Sequence, residues 1–258
     1  FLAPREVDVH PLRRLFSRKL RKARALVCNF QSPPEVLKHI FVLDESIAEL
    51  IGVRADLSVS VLPDPWHSSK LNISKNEART RLGIPSEQQV FLHFGSTDTR
   101  KGIEDVLEVW EQNKIPSDAL LVRAGCTRKH QSARLSSLAE QGRAMLFDRY
   151  LSDEELDDFL SAADWVLLPY RDHFGSSGAL AGAAAARRPV ICCEGGILGR
   201  RVQEGQLGVT YEAKNVDALS AAVSKACAGS CSGFTENLAL YSQQHTVARF
   251  TDIIRQAF

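Results

Sequence analysis

The sequence predicts an α/β fold over residues 75–258, with a Rossmann-like parallel sheet and helices on both of its faces. Five short apolar runs suit buried strands, at residues 90–94, 119–122, 144–147, 165–168 and 190–193. Amphipathic stretches of helical period separate them, at residues 102–113, 130–141, 153–162 and 178–187. Buried strands that alternate with helices are typical of a parallel sheet covered on both sides. The chain is predicted to close with helices at residues 215–228 and 235–257.

The first 74 residues have a different texture and predict only a fragment of an α/β layer. A strand at residues 40–43, a helix at 47–51 and a strand at 59–62 follow one another, and prolines end the last strand. We therefore expect a partial N-terminal α/β segment and linker over residues 1–74, followed by the main domain. The chain also begins with Phe rather than Met, so we expect either that its N-terminus was removed or that it is a piece of a longer protein.

The composition argues against several classes of protein. Lys and Arg total 32 against 31 Asp and Glu, so the net charge of +1 gives no reason to expect nucleic acid as a partner. No apolar run approaches the roughly 20 residues that span a bilayer. The six cysteines contain no CxxC pair, which favours free thiols in a reducing cytoplasm over a disulfide framework or a zinc site. We expect a cytoplasmic protein.

A basic stretch at residues 13–24 leaves two interpretations open. Apolar residues recur there at helical spacing, and Arg and Lys residues form the other face. The stretch is either an ordinary surface helix or a peripheral contact with an anionic membrane surface.

Polar loops follow three of the predicted strands, where ligands of open parallel sheets bind. The first contains Gly95, Ser96, Thr97, Arg100 and Lys101 and opens a helix, which suits an anion, although an ordinary polar loop is equally compatible. The second holds six candidates and leads into a helix of small residues: Asp172, His173, Gly175, Ser176, Ser177 and Gly178. An ordinary helix N-cap is the alternative there, but two such loops in one sheet favour a diphosphate-containing ligand. Glu194 precedes two glycines after a third strand.

Sequence motifs of other nucleotide-binding and hydrolytic sites are missing. The chain has no GxGxxG after the first strand, no GxxxxGK[ST] and no GxSxG. A dinucleotide site, a P-loop and an α/β-hydrolase elbow are therefore unsupported. The histidines show no paired metal-ligand spacing, so no metal and no cofactor is predicted.

In their order along the chain, ten short motifs from residue 81 onwards resemble the C-terminal, nucleotide-sugar-binding half of GT-B glycosyltransferases of the retaining group-1 or GT4-like family. The matching motifs are RLGIP at 81–85, FG at 94–95, RKG at 100–102, LVRAG at 121–125, LSDEEL at 151–156, AAD at 162–164, LPY at 168–170, FGSSG at 174–178, PVI at 189–191 and EGG at 194–196.

The resemblance implies metal-independent transfer of a sugar from a nucleotide-diphosphate-sugar donor to an unidentified acceptor, with the sugar's configuration retained. It assigns catalytic roles to Lys101, Arg100 and His173, of which Lys101 falls on the family's lysine position. It implies donor binding by eleven residues: Gly95, Ser96, Thr97, Arg149, Tyr150, Asp172, Gly175, Ser176, Ser177, Gly178 and Glu194. Arg149 and Tyr150 would lie beside the nucleobase.

Two departures from the family pattern keep other functions open. The family's usual arginine position is Ser96 here, so Arg100 would have to compensate. The family's glutamate pair falls on Phe174 and Gly182, or its first member on Asp172, and no alignment supplies the second glutamate, which binds the ribose. The alternatives are a catalytically inactive nucleotide-sugar-binding or scaffold module, and a different enzyme on the same fold, such as a sugar-nucleotide epimerase.

Overall fold

The computed structural model describes residues 39–51, 58–67, 73–171, 177–229 and 231–257. Its described residues divide into two compact units, one ending at Val61 and the other beginning at Leu62. The basic stretch at residues 13–24 lies outside the described residues.

The first unit is a short βαβ segment. It consists of β1 (His39–Val42), α1 (Glu45–Ile51) and β2 (Ser58–Val61). The two strands pair in parallel, with His39 opposite Ser58. The predicted strand, helix and strand are all present.

The second unit contains six further strands and nine further helices among its described residues. The strands are β3 (Gln89–Phe94), β4 (Ala119–Ala124), β5 (Ala144–Phe147), β6 (Trp165–Leu168), β7 (Val190–Cys193) and β8 (Gly208–Tyr211). The helices are α2 (Lys75–Leu82), α3 (Ile103–Glu111), α4 (Lys129–Glu140), α5 (Asp153–Ala162), α6 (Gly178–Ala185), α7 (Gly196–Glu204), α8 (Val216–Ala228), α9 (Thr235–Gln244) and α10 (Val247–Arg255). Short 3₁₀ turns lie at Thr99–Lys101 and Cys231–Phe234.

The six strands form one parallel sheet in the order β5-β4-β3-β6-β7-β8. Counted from β3, this is the 3-2-1-4-5-6 order of a doubly wound Rossmann sheet. The chain winds one way from β3 to β5 and the other way from β6 to β8, so the order reverses between β3 and β6. The predicted fold class is confirmed, and the reversal places a crevice at the carboxyl ends of these two strands.

Alternate residues of the strands face two separate apolar cores. Val90 and Leu92 belong to the core that lies under α2, α5, α6, α7 and α9. Phe91, between them, belongs to the core under α3, α4 and α8. Phe91 packs edge-on against Trp110, with ring centroids 5.7 Å apart. Both faces are therefore buried, as the continuous apolar runs predict.

The closing helical stretch is interrupted, contrary to the single helix predicted for residues 235–257. His245 ends α9, and Thr246 caps α10 by accepting a hydrogen bond from the Arg249 amide at 3.1 Å. The His245 carbonyl accepts a hydrogen bond from the Trp66 amide at 2.9 Å. This contact with the linker takes the place of a hydrogen bond that the His245 carbonyl would accept in a continuous helix. Trp66 is far from His245 in the sequence, so the local pattern does not predict the break.

Two helices and one strand were not predicted: α2, α7 and β8. α2 is short and strongly polar, and β8 begins with Gly208. Neither α2 nor β8 therefore presents the apolar periodicity on which the prediction depends. Among the described residues, no helix has the length and apolar character that crossing a membrane requires.

Candidate functional site

The two loops on either side of the strand-order reversal are in direct contact. Gly102 ends the loop after β3, and a Cβ added there would lie 1.8 Å from the carbonyl oxygen of Pro169, just after β6. The Arg171 amide donates to the Arg100 carbonyl at 2.8 Å. Gly102 also has a positive φ of 68°. Glycine is needed here for both reasons, and the loops that the sequence singles out do meet.

The side chain of Lys101 folds back over the start of its own loop. Gly95 has a φ of +91°, and a Cβ there would lie 2.6 Å from the ammonium nitrogen of Lys101. The same nitrogen lies 5.8 Å from the centre of the Tyr170 ring, across the crevice. Among the described residues, Lys101 has no carboxylate within 4.0 Å. Burial, with the charges of Arg123 and Arg100, lowers the pKa of Lys101 below its usual value. The geometry presents a partly desolvated cation where the crevice opens.

A second cation lies beneath this loop. Arg123 is fully buried near the end of β4, opposite His93 of β3 in the strand register. Its guanidinium donates to the carbonyls of Gly95 and Ala124, and to that of Cys126 at 3.0 Å. Sequence reasoning did not select Arg123 as a candidate site residue. A lone arginine at the end of an apolar strand was the only signal available.

An ion pair fixes the second loop to α3. Arg171 donates through Nε to Asp105 Oδ2 at 2.8 Å, and its Nη2 pairs with Oδ1 of the same carboxylate. Asp105 lies in the first turn of α3 and is 2% exposed. This two-point contact is of the kind that holds an arginine in one orientation. Neither residue was predicted, because nothing local in the sequence links them.

The other predicted residues of the first loop have different environments. Ser96 is exposed. Thr97 is buried, and its hydroxyl accepts a hydrogen bond from the Arg128 amide at 3.0 Å, which ties the loop to the start of α4. Arg100 is largely exposed and pairs with Asp98 at 3.7 Å. Lys101 is therefore the predicted cation that the fold directs over Gly95.

The remaining predicted residues that the structure describes are distributed along the carboxyl edge of the sheet. Arg149 pairs with Glu155 of α5 at 2.5 Å, and Tyr150 is 86% exposed. Ser177 immediately precedes α6, and its hydrogen bond with Tyr170 partly offsets the rise in the pKa of that buried phenol. Gly178 begins α6, and Glu194 is exposed at the end of β7. Asp172, His173, Gly175 and Ser176 lie outside the described residues, so their roles stay predictions.

The helix after the second loop has no room for a side chain at Gly182. A Cβ there would lie 2.9 Å from each of three ring carbons of Trp66. Trp66 is held in place by the hydrogen bond that its main-chain amide donates to the His245 carbonyl, and by a β-bridge to Thr246. The position that the resemblance aligns with the family's second glutamate is therefore filled by a neighbouring indole. Within the described residues, no group of three or more His, Cys, Asp or Glu side chains is arranged to hold a metal ion.

The comparison with protein families agrees with this geometry. A family profile described as "Glycosyl transferases group 1" matches residues 74–243, about two-thirds of the chain. This chain belongs to the group 1 glycosyl transferases.

Individual relatives match this group 1 chain over different shares of its length and of their own. It is 29% identical over 123 residues to the "Putative teichuronic acid biosynthesis glycosyltransferase TuaC" of Bacillus subtilis (strain 168), which is 48% of this chain and 29% of that one. The fold is similar to sucrose-phosphate synthase from Thermosynechococcus elongatus, with a TM-score of 0.67, 20% identity, and 84% and 57% of the two chains covered. It is similar to Anabaena Alr3699/HepE, solved in complex with UDP, with a TM-score of 0.69, 16% identity, and 85% and 63% covered. The chain thus spans less than two-thirds of the length of each of these relatives.

The buried histidine beneath the loop of this group 1 domain predicts a pH effect on stability. His93 is 1% exposed and donates to the Lys101 carbonyl at 3.4 Å. Burial, and then the charge of Arg123, lower its pKa from 6.5 to about 3. The folded state therefore binds fewer protons than the unfolded state between these values, so stability falls as the pH drops below 6.5. From about pH 7 to about pH 5 we expect a loss of about 2 kcal/mol from this group.

Urea unfolding at the two pH values measures this effect. His93→Gln should remove most of the expected loss in the free energy of unfolding between the two pH values. His130→Gln, at a largely exposed histidine, should leave that loss unchanged. If the free energy of unfolding changed equally with pH in the His93 variant and in the parent, the assignment of this pH effect to His93 would be contradicted.

Proposed function

We propose that this chain is the donor-binding part of a glycosyltransferase that moves a sugar from a nucleotide-diphosphate-sugar to an acceptor. The observation that carries the proposal is the position of Lys101. Its ammonium lies over Gly95 at the reversal of strand order, where doubly wound sheets bind their ligands. Membership of the group 1 family supports the same conclusion.

The proposed chemistry uses this charge on the leaving group. As transfer proceeds, the bond between the anomeric carbon and the diphosphate oxygen breaks, and its electron pair leaves with the nucleoside diphosphate. The acceptor hydroxyl oxygen forms the new bond to the anomeric carbon, and its proton passes to the leaving diphosphate oxygen. A cation fixed beside the developing negative charge stabilises the transition state without having to reorganise. Lys101 supplies that charge in the proposal, and the amides at the start of α6 would hold the phosphates.

Two finer features of the proposal come from the resemblance and have direct tests. We propose that the sugar's anomeric configuration is retained, which NMR of the product measures. We also propose that protein cations, rather than a metal, neutralise the leaving diphosphate, so activity should survive EDTA. An inverted product would contradict the first feature, and loss of activity restored by a divalent cation would contradict the second. The cytoplasmic location, and the membrane contact proposed for residues 13–24, also stay predictions.

A thermal-shift screen tests the donor site first. The probes are UDP, GDP, ADP and CMP, with their sugar conjugates. UDP is tested first because one solved structure of similar fold contains it. A ligand that binds only the folded state at about 100 times its Kd adds about 2.7 kcal/mol to stability. We expect one nucleotide to raise the melting temperature and the others to do so less. No shift with any nucleotide would contradict a donor site in this chain.

A binding or scaffold module without turnover is the second candidate. The packing of Trp66 on Gly182 favours it, because no carboxylate can occupy that position unless the indole moves. The two functions differ in one measurement: transfer from the bound nucleotide sugar by the full-length protein. Measurable transfer would contradict the scaffold function, whereas tight donor binding without transfer to any acceptor offered would support it.

A further inference from the structure

Arg123 is bonded entirely to main-chain carbonyls at the ends of two strands. Its side chain has no exposed surface. One terminal nitrogen, Nη2, donates to Gly95 and, at 3.0 Å, to Cys126. The other, Nη1, donates to Ala124 and, at 3.4 Å, to His93. A single guanidinium thus joins the loops that follow β3 and β4.

The charge of this arginine has no close counter-ion among the described residues. None of their carboxylates lies within 4.0 Å of the Arg123 guanidinium. The charge of Asp148 favours the protonated form of Arg123, but the Asp148 carboxylate accepts a hydrogen bond from the Thr127 amide rather than from the arginine. Burial lowers the pKa of Arg123 to about 10, so it stays charged at neutral pH. An unpaired buried charge is costly. By contrast, the buried Arg79 bonds Asp164 at 2.6 Å.

Gly95 lies between this cation and a second one. Its carbonyl accepts the Arg123 hydrogen bond, and its α-carbon is covered by the Lys101 ammonium. Two positive charges are therefore held on one glycine peptide, at the mouth of the crevice. Their mutual repulsion is relieved if an anion binds beside Lys101.

We propose that Arg123 is a positioning residue of the donor site, which holds the Gly95 loop in its diphosphate-binding conformation and adds a buried positive charge that favours the bound diphosphate. The inference deepens the proposed function and rests on it. Arg123 is buried and does not touch the ligand. It acts through the carbonyls of Gly95 and Cys126 and through its charge, which little solvent screens.

Calorimetric titration with three ligands separates this role from a structural one. The ligands are the nucleoside diphosphate identified in the thermal-shift screen, the matching monophosphate and the nucleoside. Arg123→Gln should weaken diphosphate binding about tenfold or more, the order expected when a nearby charge that little solvent screens is removed. Nucleoside affinity should change less than about twofold, because base and ribose carry no charge. Arg123→Lys, which keeps the charge, should recover part of the loss.

Arg143 provides a matched control at the opposite edge of the sheet. It directly precedes β5, and it also donates to a carbonyl, that of Trp110 at 2.8 Å. Burial also lowers its pKa, and among the described residues it makes no ion pair within 4.0 Å. Arg143→Gln also removes a hydrogen bond from a guanidinium to a main-chain carbonyl, and it should leave diphosphate affinity unchanged.

The possible outcomes are distinct. A parent chain that binds no nucleotide overturns the proposed function, and this inference with it. A parent that binds while Arg123→Gln keeps its diphosphate affinity overturns the inference alone, as does an equal loss for all three ligands. If Arg123→Gln does not fold, NMR of the ¹⁵N-labelled guanidinium groups of the parent replaces it. The Arg123 signals should then shift with diphosphate and not with nucleoside, and unchanged signals would overturn the inference.

Discussion

Replacement of Lys101 with alanine should weaken nucleoside diphosphate binding about tenfold to hundredfold. The estimate follows from the 1.5–3 kcal/mol typical of a hydrogen bond to a charged group, or roughly one to two powers of ten in Kd. The same change should leave the free energy of unfolding unchanged or raise it. Burial and two neighbouring cations lower the pKa of Lys101, so the folded state does not favour its charge.

Calorimetry and urea unfolding on the same variants check both parts of this expectation. Lys114→Ala is the matched control, since Lys114 is exposed and pairs with the exposed Asp217. Affinity in the parent should also decline as the pH rises through the lowered pKa of Lys101, earlier than an ordinary lysine would lose its proton. A Lys101→Ala variant that binds the diphosphate as tightly as the parent would contradict the assigned role.

Replacement of Gly102 with alanine should destabilise the domain by about 2 to 5 kcal/mol. The φ of +68° contributes about 1–2 kcal/mol, because a Cβ is disfavoured in the left-handed region. The larger contribution is steric, since the new Cβ would lie 1.8 Å from the Pro169 carbonyl oxygen, and forced overpacking adds about 1–3 kcal/mol. The clash is with backbone, so it can be relieved only if the two loops separate.

Gly83→Ala isolates the steric part of this effect. Gly83 has nearly the same φ, +66°, but no atom lies within 4 Å of the position that a Cβ would take. We expect it to cost about 1–2 kcal/mol from the backbone conformation alone. Urea unfolding of the two variants measures the difference. Equal losses for both would show that the contact between Gly102 and Pro169 is not tight in solution.

The local pattern of the sequence was sufficient for the layered architecture. Apolar runs at β3, β4, β5, β6 and β7 predicted buried strands, and the structure has them within two residues of the predicted ends. The amphipathic stretches between them predicted α3, α4, α5 and α6. The capping box of Ser152 and Glu155 starts α5 at its predicted position. These features depend on neighbours along the chain, so they can be inferred without knowledge of the fold.

Two features that the prediction missed, α2 and the break between α9 and α10, have a weak local signal. α2 is polar along most of its length, and its buried residues include Arg79, which an apolar pattern cannot identify. The break between α9 and α10 is set by the linker residue Trp66. Such elements are stabilised mainly by tertiary contacts, which local propensity does not predict.

For the candidate site, the sequence predicted which loops carry anion-binding residues, with Lys101 among them. Strand order decided that these loops meet, because β3 and β6 are neighbours in the sheet although more than 70 residues separate them. Tertiary structure also placed Arg123 beneath Gly95 and packed Trp66 on Gly182. Each of these contacts joins residues through burial and charge rather than through chain position. Electrostatic interactions act across space, so only the folded chain decides which charges share a site.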